Sequence, residues 1–132
     1  LIDIIEFELE HLDLMDMREH EKNCGMDYYE LKLASKESKT ALWDGEILCC
    51  WGLLEDNGMW QIPSKRVAGS GIFYARRAIK VIRKMIGGKP GVYSICLADD
   101  SHDRWMRFIG LEPNYDKTYH HNGKDYLMYE VK

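Results

Sequence analysis

The chain is 132 residues long, 45% apolar and 30% charged, enough for one hydrophobic core but not two, and unlike disordered, collagen-like or coiled-coil chains. No apolar run approaches the ~18 residues of a membrane span, and LIDIIEFELEHLDLMD at the start carries carboxylates where a secretory leader carries Lys and Arg, so a cytoplasmic protein without membrane attachment is expected. The net charge of −4 is unevenly spread: residues 1–64 hold fifteen acids and five bases (−10), residues 65–89 eight bases and no acid (+8), and residues 90–132 seven acids and five bases (−2).

In chain order, Leu1–Phe7 is apolar and β-branched enough for a strand. Leu9, Leu12, Met15 and Met17 then recur among acids at helical spacing, predicting a helix to about Glu21 that breaks at Asn23-Cys24-Gly25. Asp27 caps a second short helix through Tyr28, Leu31 and Leu33, which fades into Ser35–Lys39. Three antiparallel strands follow, Thr40–Trp43, Ile47–Leu54 and Met59–Ile62, punctuated by Asp44-Gly45 and Asp56-Asn57-Gly58 and closed by Pro63. Ile72, Ala75, Ile79, Ile82 and Ile86 form one face of an amphipathic helix, with Arg76, Arg77, Lys80, Arg83 and Lys84 on the other and Gly87-Gly88 and Pro90 at its end. Val92–Leu97 completes a β-α-β unit. A helix from about His102 to Ile109, capped from Asp99, Asp100 or Ser101, ends at Gly110. A hairpin of Asn114–His121 and Lys124–Val131 turns at Asn122-Gly123. The order β-α-α-β-β-β-α-β-α-β-β predicts one α+β domain over residues 1–132.

The four cysteines show no C-x-x-C, and adjacent Cys49 and Cys50 project to opposite faces of a strand, so reduced thiols in the core are expected. His120 and His121 diverge in the same way, and no metal site is expected. Trp43, Trp51, Trp60 and Trp105 read as core residues before they read as a binding wall.

The segment most suggestive of chemistry is Ile62-Pro63-Ser64-Lys65-Arg66-Val67-Ala68-Gly69-Ser70-Gly71. It leads from a strand end to a helix start, where unsatisfied N–H groups and the helix dipole favour an anion. Gly69 and Gly71 remove the Cβ atoms that would hold a phosphate off the backbone, and Lys65 and Arg66 add mobile charge. A positive charge one helix wide points to a discrete phosphate ligand and disfavours nucleic acid. A Walker loop and a G-x-G-x-x-G fingerprint are both absent.

Pro63-x-x-Arg66-x-x-Gly69-x-Gly71 resembles the pyrophosphate loop of the GNAT superfamily of N-acetyltransferases, and the element order matches that fold along the whole chain. The segment Asp99-Asp100-Ser101-His102-Asp103-Arg104-Trp105-Met106-Arg107-Phe108-Ile109-Gly110-Leu111 is similar to the family's fourth helix, in wording closest to small GNAT-like proteins of short-tailed phages, the internal virion protein A type. The resemblance implies a mostly antiparallel sheet splayed between the fourth and fifth strands. Acetyl-CoA would enter there as cosubstrate, bound by backbone groups of Gln61 and Ile62, by Arg66, by the N–H groups of Val67, Ala68, Gly69, Ser70, Gly71 and Ile72, and by Asp99. It further implies acetyl transfer to an amine of a protein or small molecule, in the host cytoplasm or with virion association if phage-encoded, and leaves a homodimer open.

Met106 stands where many members place the tyrosine that protonates the leaving thiolate, and Asp99 replaces the usual Asn. Glu55, His102 and Tyr115, with Tyr119 beside it in the hairpin, are the candidate catalytic substitutes; their ordinary readings are a turn residue, a first-turn surface histidine and sheet tyrosines. The acids Glu19, Glu21, Asp27 and Glu30 are candidates for attracting a cationic amine. The alternative function is a catalytically inactive GNAT-like phage protein that binds a host or virion partner.

Overall fold

The computed structural model describes residues 2–17, 27–66, 72–87 and 89–131, with the side chains of 72–75 set aside. The elements are β1 (Ile2–Glu6), α1 (Glu10–Leu14), α2 (Tyr28–Ala34), β2 (Ser35–Trp43), β3 (Glu46–Leu54), β4 (Met59–Pro63), α3 (Ile72–Ile86), β5 (Tyr93–Leu97), α4 (Asp100–Ile109), β6 (Leu111–His121) and β7 (Lys124–Val131), the predicted α+β order. They form two compact units, Leu1–Glu55 with Trp60–Ala78, and Asp56–Met59 with Ile79–Lys132. Among the described residues no helix is long and apolar enough to cross a membrane.

In the first unit the sheet order is β1-β2-β3-β4, with β1/β2 and β2/β3 antiparallel. Residues 47–53 of β3 are all buried, as befits a strand covered on both faces. Phe7, Met15, Met17, Ile47, Cys50, Trp60 and Ile62 form a core cluster, joined by Leu9, Leu12, Tyr28 and Leu31 from the helical segments. Cys49 and Cys50 are buried free thiols. Burial pushes the Cys50 thiol up to about 11 against the opposing Thr40 hydroxyl, and raises Cys49 as well, which leaves both as unreactive packing residues. Trp51 and Trp60 are likewise core, whereas Cys24 lies outside the described residues.

Two boundaries in the first unit differ from the sequence pattern, both because a distant segment claims the backbone. Helix α1 stops at Leu14 instead of near Glu21: Met15 is extended (φ −86°, ψ 139°), and Met17 pairs with Ser64 in an antiparallel bridge. The Lys65 N–H donates to the Asp16 carbonyl at 2.9 Å, so this stretch finds its partners beside the end of β4. Met15 and Met17 are still buried, so their apolar character served packing although the helical period did not. Glu19, Glu21, Asn23 and Gly25 lie outside the described residues.

Strand β2 begins at Ser35, five residues before the predicted Thr40, because the polar stretch pairs with β3 from Ser35↔Leu54 onward, with an irregularity between Ser35 and Glu37. Asp27 does cap α2, accepting from the Glu30 N–H at 3.1 Å. Ser35 Oγ donates to the Leu31 carbonyl at 2.6 Å and accepts from Trp60 Nε1 at 2.8 Å, tying α2 to β4. Asp44 (φ 48°) and Gly45 (φ 82°) make the tight turn into β3.

The second unit holds the antiparallel sheet β5-β7-β6. Ile79, Ile82, Met85 and Ile86 of α3 are buried while Lys80, Arg83 and Lys84 are exposed, and Arg83 Nε donates to the Phe108 carbonyl at the end of α4. Asn122 (φ 51°) and Gly123 (φ 75°) turn the hairpin. Strand β6 begins at Leu111 rather than Asn114, and its ladder breaks between Asn114 and Thr118, so residues 115–117 bulge out.

At the start of β5, Tyr93 forms an isolated parallel bridge with Gly58, the residue before β4. Asp56 fastens it, accepting from the Gly58 N–H at 2.8 Å and the Tyr93 hydroxyl at 2.7 Å, while Asn57 Nδ2 donates to the Pro90 carbonyl at 3.0 Å. The Asp56 hydrogen bond, with burial, raises the Tyr93 phenol above its ordinary range.

Candidate functional site

The predicted anion segment starts where β4 ends. Ser64 is buried, and its N–H donates to the Leu48 carbonyl at 2.8 Å, so sheet bonding carries past Pro63. Ile62 is buried in the core cluster, where its side chain serves packing; Gln61 is half-buried. Lys65 and Arg66 each face a carboxylate. Lys65 Nζ stands 3.7 Å from Asp16, and Arg66 Nη1 pairs with the Glu46 carboxylate at the start of β3. These acids come from remote parts of the sequence, which is why local spacing missed them. Val67, Ala68, Gly69, Ser70 and Gly71 lie outside the described residues, and Ile72 opens α3 with its side chain set aside.

Glu55 is exposed in the turn after β3. Since Glu46, which holds Arg66, begins that nine-residue strand, Glu55 and Arg66 stand at opposite ends of it, roughly 25 Å apart along its axis. Asp27 and Glu30 sit at the start of α2, where Asp27 is engaged as the cap.

In the second unit the structure does bring two predicted residues together. Asp99, extended at φ −137° and ψ 167°, is the N-cap of α4. Its Oδ1 accepts from the His102 backbone N–H at 2.8 Å and lies 2.7 Å from His102 Nδ1. The His102 side chain is only 12% exposed, not the surface residue its first-turn position suggests. Met106 is buried in α4, where it packs and cannot donate a proton. Tyr115 sits on the β6 bulge, 71% exposed, instead of on a sheet face, and Tyr119 is also exposed. His120 faces Asp125 at 2.8 Å.

One cluster in the second unit is not apparent from local sequence. Tyr129, buried in β7, donates its hydroxyl to Asp103 Oδ1 at 2.6 Å, and Arg107 Nε donates to Asp103 Oδ2 at 2.9 Å. The Tyr129 hydroxyl and the Arg107 guanidinium hold the Asp103 carboxyl below its ordinary range against the effect of burial. Burial and the facing Asp103 carboxylate raise the Tyr129 phenol. The i,i+4 spacing of Asp103 and Arg107 was visible in the sequence, but the tyrosine twenty-six residues away was not. Among the described residues no three His, Cys, Asp or Glu side chains are grouped to hold a metal.

No protein-family model and no curated protein matches the sequence. Solved structures do resemble the fold. An acyl-CoA N-acyltransferase from Pseudomonas aeruginosa aligns at TM-score 0.64 with 15% identity, over 100% of this chain and 99% of that one. A GNAT family acetyltransferase from Elizabethkingia anophelis with acetyl-CoA bound aligns at TM-score 0.60 with 13% identity, over 99% and 97%. A Bacillus subtilis acetyltransferase in complex with CoA aligns at TM-score 0.60 with 17% identity, also over 99% and 97%. At such low identity the likeness establishes the fold, which is that of the GNAT acetyltransferases.

Proposed function

We propose that this chain, folded as the GNAT acetyltransferases are, forms one domain that transfers the acetyl group of acetyl-CoA to a primary amine of a protein or small molecule. The observation that carries the reading is the place of Pro63-x-x-Arg66-x-x-Gly69-x-Gly71 in that fold: the segment begins at the end of β4 and leads into the basic helix α3. Similar folds solved with acetyl-CoA or CoA bound support the choice of cosubstrate.

Backbone groups of Gln61 and Ile62 would pair with the pantetheine amides, and N–H groups from Val67 to Ile72 with the pyrophosphate. Arg66 would contact a phosphate by exchanging its Glu46 partner for the ligand. Asp99, engaged in capping α4, would act on the cosubstrate only through its remaining acceptor capacity. Asp27 and Glu30 supply negative charge for a cationic acceptor. Placement in the cytoplasm, a kinship with short-tailed phage proteins and a homodimer belong to the same proposal.

Calorimetric titration with CoA tests it. Wild-type protein is expected to bind at micromolar concentrations, Arg66→Ala to weaken binding about tenfold, the worth of one charge-assisted hydrogen bond net of the Glu46 pair, and Gly69→Trp to abolish it by filling the space a phosphate needs. Absence of binding by the wild type at high micromolar CoA overturns the reading. The buried Met106 favours a second reading, a silent relative that binds a host or virion partner. Acyl transfer that disappears with Gly69→Trp excludes it.

A further inference from the structure

We infer that the more exposed face of the β5-β7-β6 sheet is the contact surface for a second copy of this chain, packed face to face about a two-fold axis with the two β7 strands antiparallel. The inference depends on this sheet alone. It gives the homodimer proposed above a surface and needs no acetyl transfer.

Register and strand alternation decide which side chains share that face, since directly opposed residues of antiparallel strands point the same way. Between β5 and β7 the opposed pairs are Tyr93 with Glu130, Ile95 with Met128 and Leu97 with Tyr126. Between β6 and β7, Glu112 joins Glu130, Tyr119 joins Tyr126 and His121 joins Lys124. The alternate residues point to the other side, where Ser94, Leu111, Leu127 and Tyr129 are all buried. On the first side Ile95 stays 46% and Tyr119 44% exposed, large apolar groups left open to solvent.

Charge selects the occupant. Along β7 this face runs Lys124, Tyr126, Met128, Glu130: a cation, an apolar middle and an anion. Glu112 reinforces the acidic end, which keeps two carboxylates against one ammonium even with Lys117 paired to Glu130 at 2.7 Å. A two-fold axis at the level of Leu127 exchanges the ends, so that Lys124 of each copy meets Glu130 of the other and Tyr126 meets Met128. The same surface thus supplies both halves of a complementary contact, as an isologous interface requires, and the contact closes on itself at two copies. Tyrosine and methionine without charge are the composition of interface centres, and a methionine sulfur packs favourably against an aromatic ring. Three strands across and seven residues along, the face measures about 14 Å by 20 Å, at the low end of specific interfaces, so a dissociation constant on the order of 10 μM is expected.

Sedimentation equilibrium of the intact chain without CoA, from about 1 to about 300 μM, tests this, with circular dichroism to verify that each variant is folded. The wild type is expected to pass from monomer to dimer across that range. Ile95→Glu, at an exposed position, sets an unpaired charge in the centre of the contact and should weaken association about a hundredfold. Lys124→Glu alone and Glu130→Lys alone should each weaken it about tenfold by opposing like charges. An equimolar mixture of these two variants should regain dimer, because both contacts in the mixed pair again join opposite charges. Within one chain positions 124 and 130 are about 20 Å apart, so no internal pair accounts for the recovery. A wild type that stays monomeric throughout, or a dimer that Ile95→Glu leaves unchanged, overturns the inference. A mixture no more dimeric than its separate components overturns the antiparallel arrangement. CoA titration bears on the acetyltransferase reading separately, so failure of one is distinguishable from failure of the other.

Discussion

Replacing Gly52 by alanine is expected to cost about 3 kcal/mol of stability, the upper end of overpacking penalties, and Gly52→Val to leave little folded protein. A Cβ at this position would lie 2.4 Å from Trp60 Nε1 and 2.5 and 2.7 Å from its Cε2 and Cζ2 atoms. The indole cannot yield as a flexible chain end could. It packs edge-on against Phe7 with ring centroids 5.1 Å apart, and its Nε1 donates to Ser35 Oγ. Displacing it breaks that bond and opens the cluster in which Met15, Met17 and Ile62 sit. Urea denaturation followed by tryptophan fluorescence measures the loss. Trp60→Leu combined with Gly52→Ala should be less damaging than the sum of the two, because the smaller side chain vacates the clash. Strict additivity would show that the indole is not the obstacle.

Tyr129→Phe is expected to lower stability at pH 7 by about 2 kcal/mol, the scale for losing a hydrogen bond to a charged group, and to flatten the dependence of stability on pH at both extremes. The Asp103 carboxyl is held low, first by the Tyr129 hydroxyl and then by Arg107. Its contribution is therefore present above the unfolded carboxylate value near pH 4, and is lost as pH falls through the lower folded value. The Tyr129 phenol is held high, first by burial and then by Asp103. That contribution is present below about pH 10 and is lost as pH rises toward the folded value. Removing the hydroxyl should weaken the first dependence and abolish the second. Denaturant midpoints of both proteins across acid, neutral and alkaline pH test this, and parallel curves would refute the role given to the Tyr129–Asp103 bond.

Local signals were legible where the physics is local. Asp44-Gly45 and Asn122-Gly123 specify their turns through positive φ, and α3 spans Ile72–Ile86 as its 3.6-residue apolar period requires. The cap of α4 was readable to within three candidate residues, and Asp99 proved to be the one used. Met15–Met17 and Ser35–Lys39 were misread because their backbones are claimed by Ser64 and by β3, partners that no local window contains. The candidate site divides in the same way. The glycine-containing segment after β4 could be read from its own residues. The partners that set charge there, Glu46 for Arg66 and Tyr129 for Asp103, are non-local and emerged only from the fold.

The bulge in β6 bears on how the chain behaves at high concentration. As the outer strand of its sheet, β6 would present a template on which another molecule could add a strand, the commonest start of edge-to-edge aggregation. Pro113 removes one N–H from that template, and residues 115–117 break its regular spacing. Lys117 in that bulge is charged and pairs with Glu130 of β7 at 2.7 Å. Regular templating is thus restricted toward the hairpin tip, Thr118–His121, a length on which an added strand gains little. The feature that exposes Tyr115 also protects the sheet against uncontrolled growth.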